Sequence, residues 1–192
     1  MIDFNDDFIS QINAHLAAGG VIAFPTDTVW GLGALPTAAG AESLFEIKQR
    51  PREKHFIIMS DSLEHLRPHM RDFSPRAIQL AEKYWPGALT IVGNDDPVFG
   101  GVRIPNNEIF RELCNHINGH CLATTSANIS GEPTCESAKE IAQVFPNVLI
   151  IGDDNEAGIG RAGPYAPPPL ASTVIKVTGD EIQILRQGSV VI

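Results

Sequence analysis

The stretch Leu44-Phe45-Glu46-Ile47-Lys48-Gln49-Arg50-Pro51-Arg52-Glu53-Lys54-His55-Phe56-Ile57-Ile58-Met59 decides how the chain is read. Leu44, Phe45 and Ile47 have the pattern of a helix end, and Phe56 to Met59 that of a buried strand. Pro51 stops the helix, because the residue before a proline is pushed out of the helical region. Between the two, Lys48, Arg50, Arg52 and Lys54 set four cations in seven residues of a chain whose formal charge is -9. A helix-to-strand turn lets such side chains converge on one point. Taken alone, it reads more simply as a solvated basic helix end, suited to the helix dipole.

Outward from this turn, helices and strands alternate. Asp6 or Asp7 caps a helix with the apolar face Phe8, Ile9, Ile12 and Leu16, and Gly19-Gly20 ends it. Val21 to Phe24 reads as a short buried strand, followed by a loop from Pro25 to Gly33. Thr37 opens the helix that runs to Arg50. Ser62 starts a short helix, and Ser74 caps another with Pro75 at its first position. Strands are expected at Ala88 to Val92, Val102 to Ile104, Cys121 to Thr125 and Val148 to Ile151. Helices are expected from Asn106 or Asn107 to about Ile117, and from Ala138 to Val144. Ser172 to Val177 and Ile182 to Leu185 pair as a hairpin around Thr178-Gly179-Asp180. The pattern is that of a single α/β domain over residues 1–192, with a twisted, mixed parallel and antiparallel sheet flanked by helices. Gly152 to Pro169 is too long and too rich in glycine and proline for a passive connector, and is expected to be a lid.

Composition narrows the function. Hydrophobic residues make up 43% and charged residues 19%, an ordinary globular balance. No apolar run approaches the roughly 20 residues of a membrane helix, and the acidic start from Asp3 to Asp7 is no leader peptide. Cys114, Cys121 and Cys135 follow no disulfide or zinc spacing, which suggests reduced thiols and a cytoplasmic protein. The acidic balance argues against a broad nucleic-acid face, but not against a small basic pocket. There is no P-loop. Gly31-Leu32-Gly33 begins like a dinucleotide fingerprint, yet Pro36 stands where the third glycine belongs. Ser126 sits in Thr-Thr-Ser-Ala-Asn, not in a nucleophile elbow. His65 and His69 are four apart, as are His116 and His120, but no carboxylate pattern completes a metal site around either pair. No residue is assigned as a metal ligand.

Seven motifs then occur in order. They are Pro25-Thr26-Asp27-Thr28-Val29-Trp30-Gly31-Leu32-Gly33, Lys48-Gln49-Arg50-Pro51, Trp85-Pro86-Gly87-Ala88-Leu89-Thr90, Val102-Arg103-Ile104-Pro105, Thr125-Ser126-Ala127-Asn128-Ile129-Ser130-Gly131, Ser172-Thr173-Val174 and Leu185-Arg186-Gln187-Gly188. Together they resemble the YrdC/Sua5 family, the threonylcarbamoyl-AMP synthases, over nearly the whole chain. The length resembles the short bacterial form without a C-terminal Sua5 domain. There are departures: Met59 stands where long members often carry histidine, Pro133-Thr134-Cys135-Glu136 replaces P-S-P-T, and Gly158 to Leu170 lacks G-V-E.

The resemblance implies a reaction of L-threonine, bicarbonate and ATP to threonylcarbamoyl-AMP and pyrophosphate. The adenylate would pass to a tRNA-modifying transferase complex acting on adenosine 37, with at most a weak contact of this chain to tRNA and none to a membrane. A carbamate anion attacking the α-phosphate needs positive charge and in-line positioning rather than a protein nucleophile. Lys48 and Arg50 are the expected catalytic pair. Lys48, Arg50, Lys54, Ser126, Asn128, Thr134 and Arg186 are expected at ATP, and Thr28, Arg103, Thr124 and Ser172 at threonine. Mg²⁺ is expected on the phosphates, with Asp27 as an outer neighbour. Two other readings compete: a carbamoyl-adenylating enzyme that does not use threonine, and a tRNA-binding module of the same fold. Six of the 14 Lys and Arg residues fall in motif stretches, which favours a pocket over a broad basic face.

Overall fold

The computed structural model describes residues 2–93, 96–152 and 170–192. The strands are β1 (Ile22–Phe24), β2 (Gly31–Ala34), β3 (Phe56–Ser60), β4 (Leu89–Val92), β5 (Phe99–Arg103), β6 (Cys121–Ser126), β7 (Leu149–Ile150), β8 (Thr173–Thr178) and β9 (Glu181–Arg186). The helices are α1 (Asp6–Ala17), α2 (Ala38–Lys48), α3 (Leu63–Leu66), α4 (Pro75–Tyr84), α5 (Glu108–His116) and α6 (Ala138–Val144). Among the described residues the strands form one sheet in the order β7-β1-β2-β6-β3-β5-β4-β8-β9. Pairing is parallel for β3 with β5, β4 with β8 and β1 with β7, and antiparallel elsewhere. This is the expected mixed sheet.

Caps set the helix starts. The side chains of Thr37, Ser62, Ser74, Asn107 and Ser137 each accept a backbone N–H in the first turn of the helix that follows. For α1 the cap is Asn5 rather than Asp6 or Asp7, which instead place negative charge in the first turn. The helix α2 ends at Lys48, two residues before the expected Arg50, because Gln49 turns left-handed at φ 51. The main departure is β2, which lies inside the stretch expected to be loop. Gly31 and Gly33 hide it in the sequence. On the sheet, a Cβ on either would come within 3 Å of the Phe24 ring, so the two glycines let that ring lie flat across the strand.

The sheet has two unlike faces. On the first, Ala23, Leu32, Ile58, Ile91, Val102, Ala123 and Ile175 form one continuous core under α2, α3, α4 and α6. On the second, α1 and α5 cover Ile22, Phe24, Met59 and Leu122 with Ile12, Leu16, Phe110 and Leu113. This cover extends over only part of the second face. Beyond it the face carries Thr90 on β4, Arg103 on β5, Thr124 on β6 and, just before β8, Ser172, all buried polar residues. Each fully buried Leu, Ile or Phe is worth about 1.5–3 kcal/mol. The second face gives that up along four strands. The lid expected for Gly152 to Pro169 falls on residues 153–169, outside the described residues. Among the described residues no helix is long and apolar enough to cross a membrane.

Candidate functional site

The uncovered part of the second face is a cavity of about 210 Å³. Its floor is the sheet: Ile57 and Met59 from β3, Thr90 from β4, Arg103 from β5, Thr124 to Ser126 from β6, and Arg186 from β9. Its walls are the β1–β2 loop, with Thr26 and Thr28, and the turn after α2, with Arg50 and His55; Ala171 and Ser172 close one side. Arg50, Arg103 and Arg186 thus meet in one space, and no carboxylate belongs to the described lining.

Each guanidinium is fixed by groups that leave some of its N–H bonds for another acceptor. Arg103 is 2% exposed. Its Nε donates to Gly87 O at 2.9 Å, Nη1 to Thr28 Oγ1 at 3.0 Å, and Nη2 to Asp27 Oδ1 at 2.5 Å. Burial pushes its pKa down and Asp27 opposes that shift. Gly87 is itself held by a bond from its N–H to Ile104 O at 2.8 Å, so the Trp85-Pro86-Gly87 turn is part of the Arg103 mount. The Thr26 hydroxyl accepts from the N–H groups of Thr28 and Val29 and donates to Val29 O, which stiffens the loop carrying Asp27 and Thr28.

On the other side, Arg186 donates from Nε to Ser172 O at 3.0 Å and from Nη2 to Ser172 Oγ at 3.1 Å. Ser172 Oγ lies 2.9 Å from Thr90 Oγ1. Arg50 donates from Nε to Lys54 O at 3.1 Å and from Nη2 to His55 O at 2.8 Å, and its guanidinium lies over the Phe56 ring at 5.2 Å. The left-handed Gln49 aims this turn back toward the sheet. Burial also holds Arg50 and Arg186 below the ordinary arginine value, though guanidinium keeps its proton.

Lys48 is placed differently from the rest of the turn. It is 1% exposed and absent from the cavity wall. Its Nζ donates to Ser126 O and Asn128 O, both at 2.5 Å, and to Asn128 Oδ1 at 3.0 Å. All three ammonium protons therefore support the Ser126–Asn128 loop from beneath. Burial, followed by the Arg50 charge, lowers its pKa to about 7. Asn128 is likewise turned inward: its Oδ1 also accepts from Ser126 Oγ at 2.6 Å, and its Nδ2 donates to Ile129 O and Glu132 O. Lys54 and Thr134 are not in the cavity lining either; Lys54 contributes its carbonyl to Arg50.

Of the residues expected at ATP, Arg50, Ser126 and Arg186 reach the cavity wall, while Lys48 and Asn128 act on its shape. All four residues expected at threonine, Thr28, Arg103, Thr124 and Ser172, line it. Sequence reasoning missed Thr26, Thr90 and His55. Thr26 and Thr90 lay inside quoted motifs. The signal for His55 was alternation, because it stands two residues before Ile57 and four before Met59, in step with the cavity face of β3. Burial raises the pKa of the thiols of Cys114, Cys121 and Cys135, and none of the three lines the cavity.

Comparison with known proteins adds a second line of evidence. Residues 14–188 match the family described as Sua5_yciO_yrdC, telomere recombination. A threonylcarbamoyl-AMP synthase of Pyrococcus abyssi is 36% identical over 88% of this chain and 51% of its own length. One from Vibrio cholerae is 34% identical over 94% of this chain and 97% of its own. The crystal structure of P. abyssi Sua5 complexed with L-threonine superposes with a TM-score of 0.75 at 29% identity, covering 97% of this chain and 56% of that one. The chain thus spans about half the length of the archaeal proteins and nearly all of the bacterial one. With the motifs in order, the fold shared and the match running over nearly its whole length, this chain belongs to the Sua5/YciO/YrdC family.

Proposed function

We infer that this chain makes L-threonylcarbamoyl-AMP and pyrophosphate from L-threonine, bicarbonate and ATP. The observation that carries the reading is the convergence of Arg50, Arg103 and Arg186, with the hydroxyls of Thr28, Thr124, Ser126 and Ser172, on a cavity whose described lining has no carboxylate. Three anions have to meet here: an amino-acid carboxylate, a carbamate and a triphosphate. A cavity lined by cations and hydroxyls favours that encounter and holds the reactants in line. The Sua5 structure that binds L-threonine has this fold, which supports threonine as the amino acid.

Arg103 and Thr28 hold the threonine carboxylate, with Thr124 and Ser172 at the same end. Arg50, Ser126 and Arg186 hold the phosphates. The threonine amine bonds to the carbon of bicarbonate and water leaves, which gives the carbamate. A carbamate oxygen then attacks the α-phosphorus, the new P–O bond forms, and the bond to pyrophosphate breaks as charge grows on the leaving oxygen. Lys48 and Asn128 act by fixing the Ser126 loop. Mg²⁺ would be carried on the ATP phosphates and would offset their charge, as suits an ion that keeps several waters and takes few protein ligands. The product is a labile mixed anhydride, so a transferase that modifies tRNA takes it up directly. The test is to supply ATP, L-threonine and ¹³C-bicarbonate and weigh the product. A labelled carbon in a threonine-containing adenylate is expected. An adenylate lacking threonine would replace this reading with carbamoyl adenylation.

A further inference from the structure

The geometry points to His55 as a pH-dependent phosphate ligand of the cavity, its imidazolium donating a charge-assisted hydrogen bond to the triphosphate of ATP and to the departing pyrophosphate. This rests on the reading that ATP reacts in this cavity. His55 directly precedes β3 and lines the cavity with Ile57 and Met59. The antiparallel β3–β6 register pairs Ile57 with Thr124. His55, two residues before Ile57, and Ser126, two residues after Thr124, therefore lie toward the same end of the two strands, and both line the cavity. Its carbonyl accepts from Arg50 Nη2 at 2.8 Å. The imidazole lies against the backbone of Gly100, where a Cβ would come 2.7 Å from His55 Nδ1. Any other residue at position 100 would displace the ring. His55 therefore shares the end of the cavity that holds Arg50 and Ser126. Arg103 pairs with Met59, four residues along the strand from His55 and about 13 Å away.

The ionisable residues of the described lining are Arg50, His55, Arg103 and Arg186. The three arginines keep their protons. Imidazole is the side chain suited to changing charge near neutral pH, and His55 is the one imidazole in the described lining. Other charged groups stand near it among the described residues. Glu53 and Lys54 flank it on its own turn, and Arg186 stands on the cavity floor. The Asp96 carboxylate, ahead of β5, accepts from the N–H groups of Val98 and Phe99. Lys48 lies beneath the loop with its N–H groups already committed. A protonated His55 binds phosphate more tightly, and its deprotonation eases release of pyrophosphate.

The test is calorimetric titration of the wild type and of His55→Gln with ATP, with inorganic pyrophosphate and with L-threonine, at about pH 6 and about pH 8. Comparing the two proteins cancels the ionisation of the phosphates themselves. The wild type should bind pyrophosphate about tenfold more tightly than His55→Gln at the lower pH, the size of one charge-assisted hydrogen bond, and about equally at the higher. Threonine affinity should be the same in both proteins, which also shows that the variant is folded. Gly100→Ala, which displaces the ring, should behave like His55→Gln. A wild-type to His55→Gln ratio that does not change with pH overturns the inference, and with threonine-dependent pyrophosphate release intact it leaves the proposed function standing. A wild type that binds neither ATP nor pyrophosphate overturns both.

Discussion

The two faces of the strands β3, β5, β4 and β8 show what stability and chemistry each ask of one sheet. On one face Ile58, Val102, Ile91 and Ile175 are each no more than 1% exposed and belong to one continuous apolar core. One residue along, the other face carries Met59, Arg103, Thr90 and Val174, with Ser172 at the strand entry. The first face gains its energy from removing area from water. The second is buried almost as well but gains little from that. It persists because its buried polar side chains are held by hydrogen bonds: Arg103 with Asp27, Thr28 and Gly87, Thr90 with Ser172, Thr124 with Ile57 O at 3.0 Å. A buried polar surface that satisfies itself yet leaves N–H groups pointing into a cavity is organised for an anionic guest.

Breaking the second face should have the larger effect. Arg103→Met leaves Asp27 without its partner and should cost about 3–5 kcal/mol, read as a lower denaturant midpoint, together with loss of threonine binding. Adding Asp27→Asn should recover most of the stability and none of the binding. If the double variant binds threonine normally, Arg103 is structural. On the first face, Ile58→Ala should cost about 2–4 kcal/mol by opening a cavity. Turnover measured well below its melting temperature should stay close to the wild type. A specific loss of turnover there would erase the distinction between the faces.

Lys48 sharpens the comparison through pH. Its folded pKa of about 7 lies below the ordinary 10.5, so the folded state binds fewer protons than the unfolded chain between these values. Stability contributed by this group is therefore lost as pH falls through about 7 and recovered as pH rises toward 10.5. In Lys48→Met that dependence should vanish, while the carbonyls of Ser126 and Asn128 lose their donor at about 1–3 kcal/mol. Denaturant midpoints of both proteins across this range check the sign. The smallest change is Thr124→Val, which gives up one hydrogen bond to Ile57 O for about 1 kcal/mol. It should raise the threonine KM more than it lowers stability.

The alternation of elements, the Thr37, Ser62 and Ser74 caps and the final hairpin were all legible, because caps and turns are local chemistry. The strand β2 was not, since its glycines look like a loop until the Phe24 ring is laid over them. For the site, ordered motifs named most of the wall. They could not say that Lys48 turns beneath the Ser126–Asn128 loop, because that contact joins residues 78 and 80 apart. His55 went unnoticed because a histidine beside four cations reads as more of the same turn. Only the fold brings it to the end of the cavity that Ser126 also lines.

The central claim is that the polar face joins threonine, bicarbonate and ATP. Its most direct test is the rate of pyrophosphate release from ATP by the purified chain with all three substrates present, then with threonine or bicarbonate omitted. The account predicts release only when both are supplied, and its loss in a folded Arg50→Ala variant. Release that continues unchanged without threonine, or in Arg50→Ala, would contradict it.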